Sequence, residues 1–338
     1  MRKRLGLVLS FLISIVFLYL AFKKVDAREI GQSLLNVNLS YFTITVLLTF
    51  FAFFLRAIRW QILLNPSKKL PLPLVYHATM IGFMCNFVLP ARIGELIRAY
   101  LIGARGNMSK SSAFATIIIE RVLDVFIISF FTAVIVIFFS VPDWVKRIGI
   151  IISILNISIF IILLSMHKKK DLFFTIIEKI LKIFGEGIKE KIKKLLYSFI
   201  EGLDILEKGS NLIIAIVLSI VIWSISGLFF FVLFYSLPIR LPLYAAFLDM
   251  IILNFGIMIP STTGFIGTFQ FFVKEGLTIF QINPNTALSY SILLYVSQFL
   301  PVVGLGIVSL WIWGLDFKKL QTNASAYDTI KKRHKRQS

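Results

Sequence analysis

The chain has 338 residues, of which 58% are hydrophobic and 34 are phenylalanine, and its mean hydropathy is +0.87. That composition excludes a soluble globular domain, and apolar runs of about 18 or more residues exclude a β-barrel. The net charge of +19, from 36 Lys and Arg against 17 Asp and Glu, sits mostly beside apolar spans. It therefore reads as a positive-inside signal and attraction to anionic headgroups, with no nucleic-acid partner.

Arg2, Lys3 and Arg4 precede an apolar run over 5–22. No small-residue cleavage site stands before Lys23 and Lys24, so this run reads as a retained first span. The next span, 40–64, carries Arg56 and Arg59 near Trp60, which are expected to snorkel at a helix end. An apolar segment at 72–89 then runs into L-P-A-R-I-G-E-L-I-R, Leu89 to Arg98, and a second short arm at 93–104. Full spans follow at 113–140 and 148–166.

The loop 167–209 holds ten lysines. Apolar residues recur at helical spacing within 171–208, predicting one or two amphipathic helices on the cytoplasmic surface, broken near Gly185 and Gly187. Another span covers 210–236, and an apolar segment at 243–259 runs into I-P-S-T-T-G-F-I-G-T-F-Q, Ile259 to Gln270. Its second arm is 264–281 and the last span is 287–314. Residues 1–320 thus form a single integral membrane domain, and 321–338 form a basic, disordered cytoplasmic tail.

Pro90 and Gly94, and again Pro260, Gly264 and Gly267, interrupt these two segments. Each removes a backbone donor or loosens the helix. In lipid, broken backbone is tolerated only where protein or water surrounds it. A pair of broken segments, one in each half, is the sequence pointer to a transporter's binding site near the midplane.

Charge fixes the topology. The three basic regions, at the N-terminus, in 167–209 and in the tail from Lys318, all belong in the cytoplasm. They all fall there if each broken unit is a re-entrant hairpin, whereas a single crossing by the first would push the ten-lysine loop outside. The expected fold is an all-α polytopic membrane protein of the cell membrane, with both termini cytoplasmic. It has about six full transmembrane helices plus two re-entrant broken-helix hairpins of opposite orientation, giving eight membrane segments. Opposed hairpins are the form an inverted repeat would take.

The charged residues near the breaks are the candidate site. Arg92, Glu95 and Arg98 are three apart and form one slanting stripe on a helix starting after Pro90. A helix N-terminus with an arginine fork suits a phosphate; the bland alternative is arginines that cap a cytoplasmic loop. Glu120 and Asp124 are four apart on one face, with Arg121 three from Asp124. At a helix centre each charge costs roughly 2.5–3.5 kcal/mol on the insertion scale. The cluster must therefore face protein or water, and pairing with Arg92 or Arg98 is one arrangement; a purely structural ion network is the other. In the second half Asp249 lies in an apolar run, Lys274 and Glu275 lie in the second arm, and Thr263 and Gln270 mark the break.

Other chemistries lack residues. Cys85 is the only cysteine and the three histidines are far apart, so no metal site or cofactor is expected. A-R-G-N-M-S-K-S, Ala104 to Ser111, lacks both glycines of a phosphate loop, and H-E-x-x-H and G-x-S-x-G are absent.

A proline-broken A-R-I-G-E-L-I-R, then E-R-V-L-D about 25 residues on, then a late glycine break, resembles the lysylphosphatidylglycerol synthase transmembrane region family (flippase-like, UPF0104 membrane proteins). The resemblance covers nearly the whole chain and makes Pro90, Arg92, Gly94, Glu95, Arg98, Glu120, Arg121 and Asp124 signature positions. The late motif departs from the family's P-G-G-x-G-x-x-E run, with Thr263, Phe265 and Gln270 at the proline, second-glycine and glutamate positions. The resemblance implies a multi-pass protein that moves or handles lipids with charged or glycosylated headgroups. The expected function is a flippase-like protein, not an enzyme, that takes a membrane phospholipid or lipid-linked anion between its hairpins. The alternative is a membrane subunit of a lipid-modifying enzyme resembling a phosphatidylglycerol lysyltransferase, with its catalytic part on a soluble or membrane partner. A homo-oligomer is compatible with either.

Overall fold

A computed structural model describes residues 2–23, 25–89, 92–170, 173–175, 178, 186–204, 209–259 and 262–315, and twelve α-helices are delimited among them. They are α1 (Arg2–Phe22), α2 (Ala27–Leu35), α3 (Leu39–Leu64), α4 (Leu72–Val88), α5 (Gly94–Arg105) and α6 (Lys110–Phe138). After these come α7 (Asp143–Lys168), α8 (Glu186–Glu201), α9 (Gly209–Phe234), α10 (Leu243–Gly256), α11 (Thr268–Thr278) and α12 (Pro284–Ile312). Among the described residues there is no strand. Pro90, Pro260, Gly185 and the tail from residue 316 lie outside them.

Among the described residues five helices, α3, α6, α7, α9 and α12, are long and apolar enough to cross a membrane, and shorter apolar helices accompany them. α7 shows what solvates them. Ile150, Ile151, Ile154, Ile161 and Ile162 are each more than half exposed, a surface that suits hydrocarbon and not water. The chain is an all-helical polytopic membrane protein.

One feature differs from expectation. α2 was not anticipated: Asp26 caps it by accepting from the Arg28 N–H at 2.8 Å, and it buries Ile30 against Ala21 and Leu288. α8 starts at Glu186 and includes Gly187, while Gly185, the other residue of the expected break, lies outside the described residues. One helical glycine costs only about 1 kcal/mol, which the rest of a 16-residue helix offsets.

The described residues fall into two compact units, one of Met1–Phe53, His77–Arg98 and Ile225–Ser338, the other of Phe54–Tyr76 and Ala99–Ser224. In the first unit α4 and the start of α5 meet closely: a Cβ on Gly94 would lie 1.9 Å from the Gly82 carbonyl oxygen. Only glycine permits that approach. α10 and α11 likewise fold back on one another, with Gly256 against Phe272 and Gly276 against Asp249. Tyr244, at the start of α10, packs against Phe280, just past α11, with ring centroids 5.7 Å apart. In the second unit the segment before α4 touches the one after α5, because Lys68 Nζ donates to the Asn107 carbonyl at 2.9 Å. There α6 packs along α7, where Asn156 donates to the Val122 carbonyl at 3.3 Å. Against α8, Gly202 sits on Ser112 and Ala115.

Candidate functional site

In the first unit the residues of both breaks converge. Arg92 has a left-handed backbone, φ 51°, and so does Phe265, φ 59°; each is costly for a residue with a side chain. These two strained residues touch, with the Arg92 guanidinium 5.1 Å from the Phe265 ring centroid. Arg92 also donates to the Ile257 carbonyl at 2.8 Å, at the C-terminus of α10, where the helix dipole favours a cation. Phe87 lies edge-on to Phe265, Tyr295 and Phe299, and Phe269 packs edge-on to Tyr295. Half-buried Glu95 follows Gly94 in the first turn of α5. Arg98 is buried, its guanidinium 5.3 Å from the Phe83 ring, its stem in the space left by Gly82.

The second break satisfies its own backbone. Gly264 and Gly267 take positive φ, 69° and 90°. Gln270 accepts from the Gly267 N–H at 2.8 Å and Thr268 donates to the Phe265 carbonyl at 3.0 Å. The Thr262 N–H donates to Ser14 Oγ at 2.8 Å. Gln270 thus caps α11, a task for a side-chain carbonyl oxygen that glutamate would do equally well. Thr263 lies in the single 3₁₀ turn before it. Lys274 turns away from the break and donates to the Leu20 and Ala21 carbonyls at 2.9 and 3.0 Å, fixing the end of α1. Asp249 is fully buried on α10.

The second unit holds a buried charge network. Arg59 donates to Asp124 at 2.6 Å and to Ser219 Oγ at 2.8 Å, and its other terminal nitrogen stands 3.4 Å from Glu120. Trp223 Nε1 donates to the same Asp124 oxygen at 3.0 Å. Arg121 bridges both carboxylates, bonding to Glu120 and lying 3.3 Å from the second oxygen of Asp124. The Arg56 guanidinium sits 5.3 Å over the Trp223 ring. Three guanidiniums therefore surround two carboxylates, a locally positive, low-dielectric cluster whose charges are fixed by mutual pairing.

This corrects one expectation. Arg59 does not snorkel; its side chain is 0% exposed and forms the hub of the network. The signal was an arginine five residues inside the end of an apolar helix, where an intramembrane charge points to a partner. Ser219 and Trp223, four apart on α9, also went unread, since serine and tryptophan are ordinary in membrane helices. Ser14, a lone hydroxyl in the first span, was equally silent.

A UPF0104 membrane protein of Methanocaldococcus jannaschii is 24% identical over 314 residues, covering 89% of this chain and 93% of that protein. A second UPF0104 membrane protein, from Methanothermobacter thermautotrophicus, is 21% identical over 305 residues, covering 85% and 89%. Glycosyltransferase AglD of Haloferax volcanii is 28% identical over 128 residues, which are 38% of this chain and 20% of that enzyme. The lysylphosphatidylglycerol synthase TM region matches residues 7–306, and the chain belongs to that family of membrane proteins.

Proposed function

We propose that the protein binds and translocates a lipid with an anionic, phosphate-bearing headgroup, and is not itself an enzyme. In this reading α4–α5 and α10–α11 are re-entrant hairpins of opposite orientation beside six full crossings, α1 among them, related as an inverted repeat in the cell membrane. Both termini and the lysine-rich α8 are cytoplasmic by the positive-inside rule. The return of each hairpin to its starting point, seen in the Lys68–Asn107 and Tyr244–Phe280 contacts, supports re-entry.

The observation that carries the reading is Arg92, held in a strained backbone and bonded to the Ile257 carbonyl of the other break. A phosphate oxygen would compete with that carbonyl for the guanidinium, with a full opposite charge and a bidentate fit to the arginine fork in its favour. A headgroup can therefore displace a contact that ties the two breaks together, which is a means of coupling binding to movement of one hairpin against the other.

The test is leaflet exchange of a fluorescent anionic phospholipid in proteoliposomes. Arg92→Ala should slow exchange by at least roughly tenfold, about 1.4 kcal/mol, and Arg92→Lys should recover part of it. Unchanged exchange in Arg92→Ala would refute the reading. The second reading, a membrane subunit serving a lipid-modifying enzyme, is favoured by the match to one fifth of a glycosyltransferase. Recovery of a lipid-modifying enzyme on the purified protein, with no leaflet exchange, would select it.

A further inference from the structure

Asp249 is a buried acid of the first unit that the site described above does not explain. It is fully buried, and neither carboxyl oxygen has a hydrogen-bond partner among the described residues. Glu120 and Asp124 have arginines within ion-pair distance; Asp249 has none among the described ion pairs. A carboxylate in such a place bears the full cost of leaving water, whereas the neutral acid bears far less.

The neighbouring helix is shaped around this carboxyl. A Cβ on Gly276 of α11 would lie 2.1 Å from Asp249 Oδ1, so a glycine, unfavourable inside a helix, is what lets the acid sit there. Two locally unfavourable residues at one contact mark a functional position. The surrounding ionisable groups are already committed. On α11, Lys274 is held by the Leu20 and Ala21 carbonyls, and Glu275 is 43% exposed beside it. On α12, Tyr290 donates to the Phe230 carbonyl at 2.8 Å. α9 has no charged residue, and α10 itself adds only Tyr244. Among the described residues no group of three His, Cys, Asp or Glu is placed to hold a metal ion. The species that one carboxyl can bind without further ligands is a proton.

We propose that Asp249 is a proton-binding site in the α10–α11 contact, and that its proton couples the translocation cycle to a pH gradient. The coupling rests on the lipid-translocation reading; the proton site does not. Discharge and recharging both require α11 to withdraw Gly276 from the carboxyl so that water reaches it, the proton leaving to water on one side of the membrane and arriving from water on the other, and the contact closes over the neutral acid.

The site is tested with dicyclohexylcarbodiimide, an apolar reagent that modifies protonated carboxyls, on the full chain in lipid vesicles, with the modified residue located by mass spectrometry. An ordinary aspartate is less than about 1% protonated at neutral pH. Asp249 should therefore be modified at least about tenfold more than the exposed Asp143. The signal should vanish in Asp249→Asn, a near-isosteric change. Gly276→Ala, which pushes the carboxyl from its seat, should lower modification while Asp249 remains, and it serves if Asp249→Asn does not fold. Asp249 modified no more than Asp143 would overturn the proposal. For the coupling, an imposed pH gradient should change leaflet exchange in the wild type and not in Asp249→Asn. Exchange that ignores the gradient in both overturns the coupling and leaves translocation standing. If the wild type shows no exchange at all, translocation fails and the coupling with it, while the modification result still decides the proton site.

Discussion

Arg59 has no exposed surface, yet it carries a full charge into an apolar helix, so its two carboxylate partners decide whether the helix can be where it is. Removing one member of a buried pair leaves the others uncompensated, at a cost of about 3–5 kcal/mol. Arg59→Met should therefore lower the thermal midpoint in detergent sharply, whereas Lys68→Met at the rim should leave it nearly unchanged. Because Arg59 and Asp124 share one network, Arg59→Met with Asp124→Asn should destabilise by less than the sum of the single changes, as a double-mutant cycle would show. Additive losses would mean that the Arg59–Asp124 contact at 2.6 Å contributes nothing of its own.

At the scale of the element, glycine lets helices approach and a glutamine starts one. Gly94→Ala places a methyl 1.9 Å from the Gly82 carbonyl, so α4 and α5 must part. Overpacking of this kind costs about 1–3 kcal/mol, measurable as a lowered midpoint. Gln270→Ala removes the acceptor for the Gly267 N–H and should cost about 0.5–2 kcal/mol, while Gln270→Glu, which keeps the acceptor, should restore it. A Gln270→Glu variant as unstable as Gln270→Ala would show that the cap is not what this side chain supplies. The long apolar helices and both breaks were legible in the sequence because hydropathy and Pro/Gly punctuation are local signals. The partners of the breaks were not. Ser14 lies 248 residues from Thr262, and nothing near either residue announces the other. Glu120 and Asp124 could be read as one face of a helix from their spacing, but that Arg59 meets them across 65 residues depends on packing that spacing does not encode. α2 escaped notice for a different reason: nine residues with one buried side chain leave little periodicity to read.

For the whole molecule the re-entrant reading puts the lysine-rich region and both ends of the α4–α5 pair on one side of the membrane. α7 has 26 residues and so is about 39 Å long at 1.5 Å per residue, enough to cross a hydrocarbon core of about 30 Å. In the proposed topology Asp143 at its start and Lys194 beyond its end face opposite compartments. The segment around Lys68 touches Asn107, and Ser67 donates to the Glu201 carbonyl at 3.4 Å, so residues before α4, after α5 and at the end of α8 lie at one end of the second unit. In a background with buried Cys85 replaced by alanine, single cysteines at Lys69, Ser109 and Lys194 should all resist a membrane-impermeant maleimide on intact cells and react once the membrane is opened. A cysteine at Asp143 should react from outside. Lys69→Cys and Ser109→Cys reacting from opposite sides would mean that α4 and α5 together cross the bilayer. The lysine-rich helix would then lie outside, against the charge asymmetry, and Arg92 would line a through-going span instead of the tip of a hairpin.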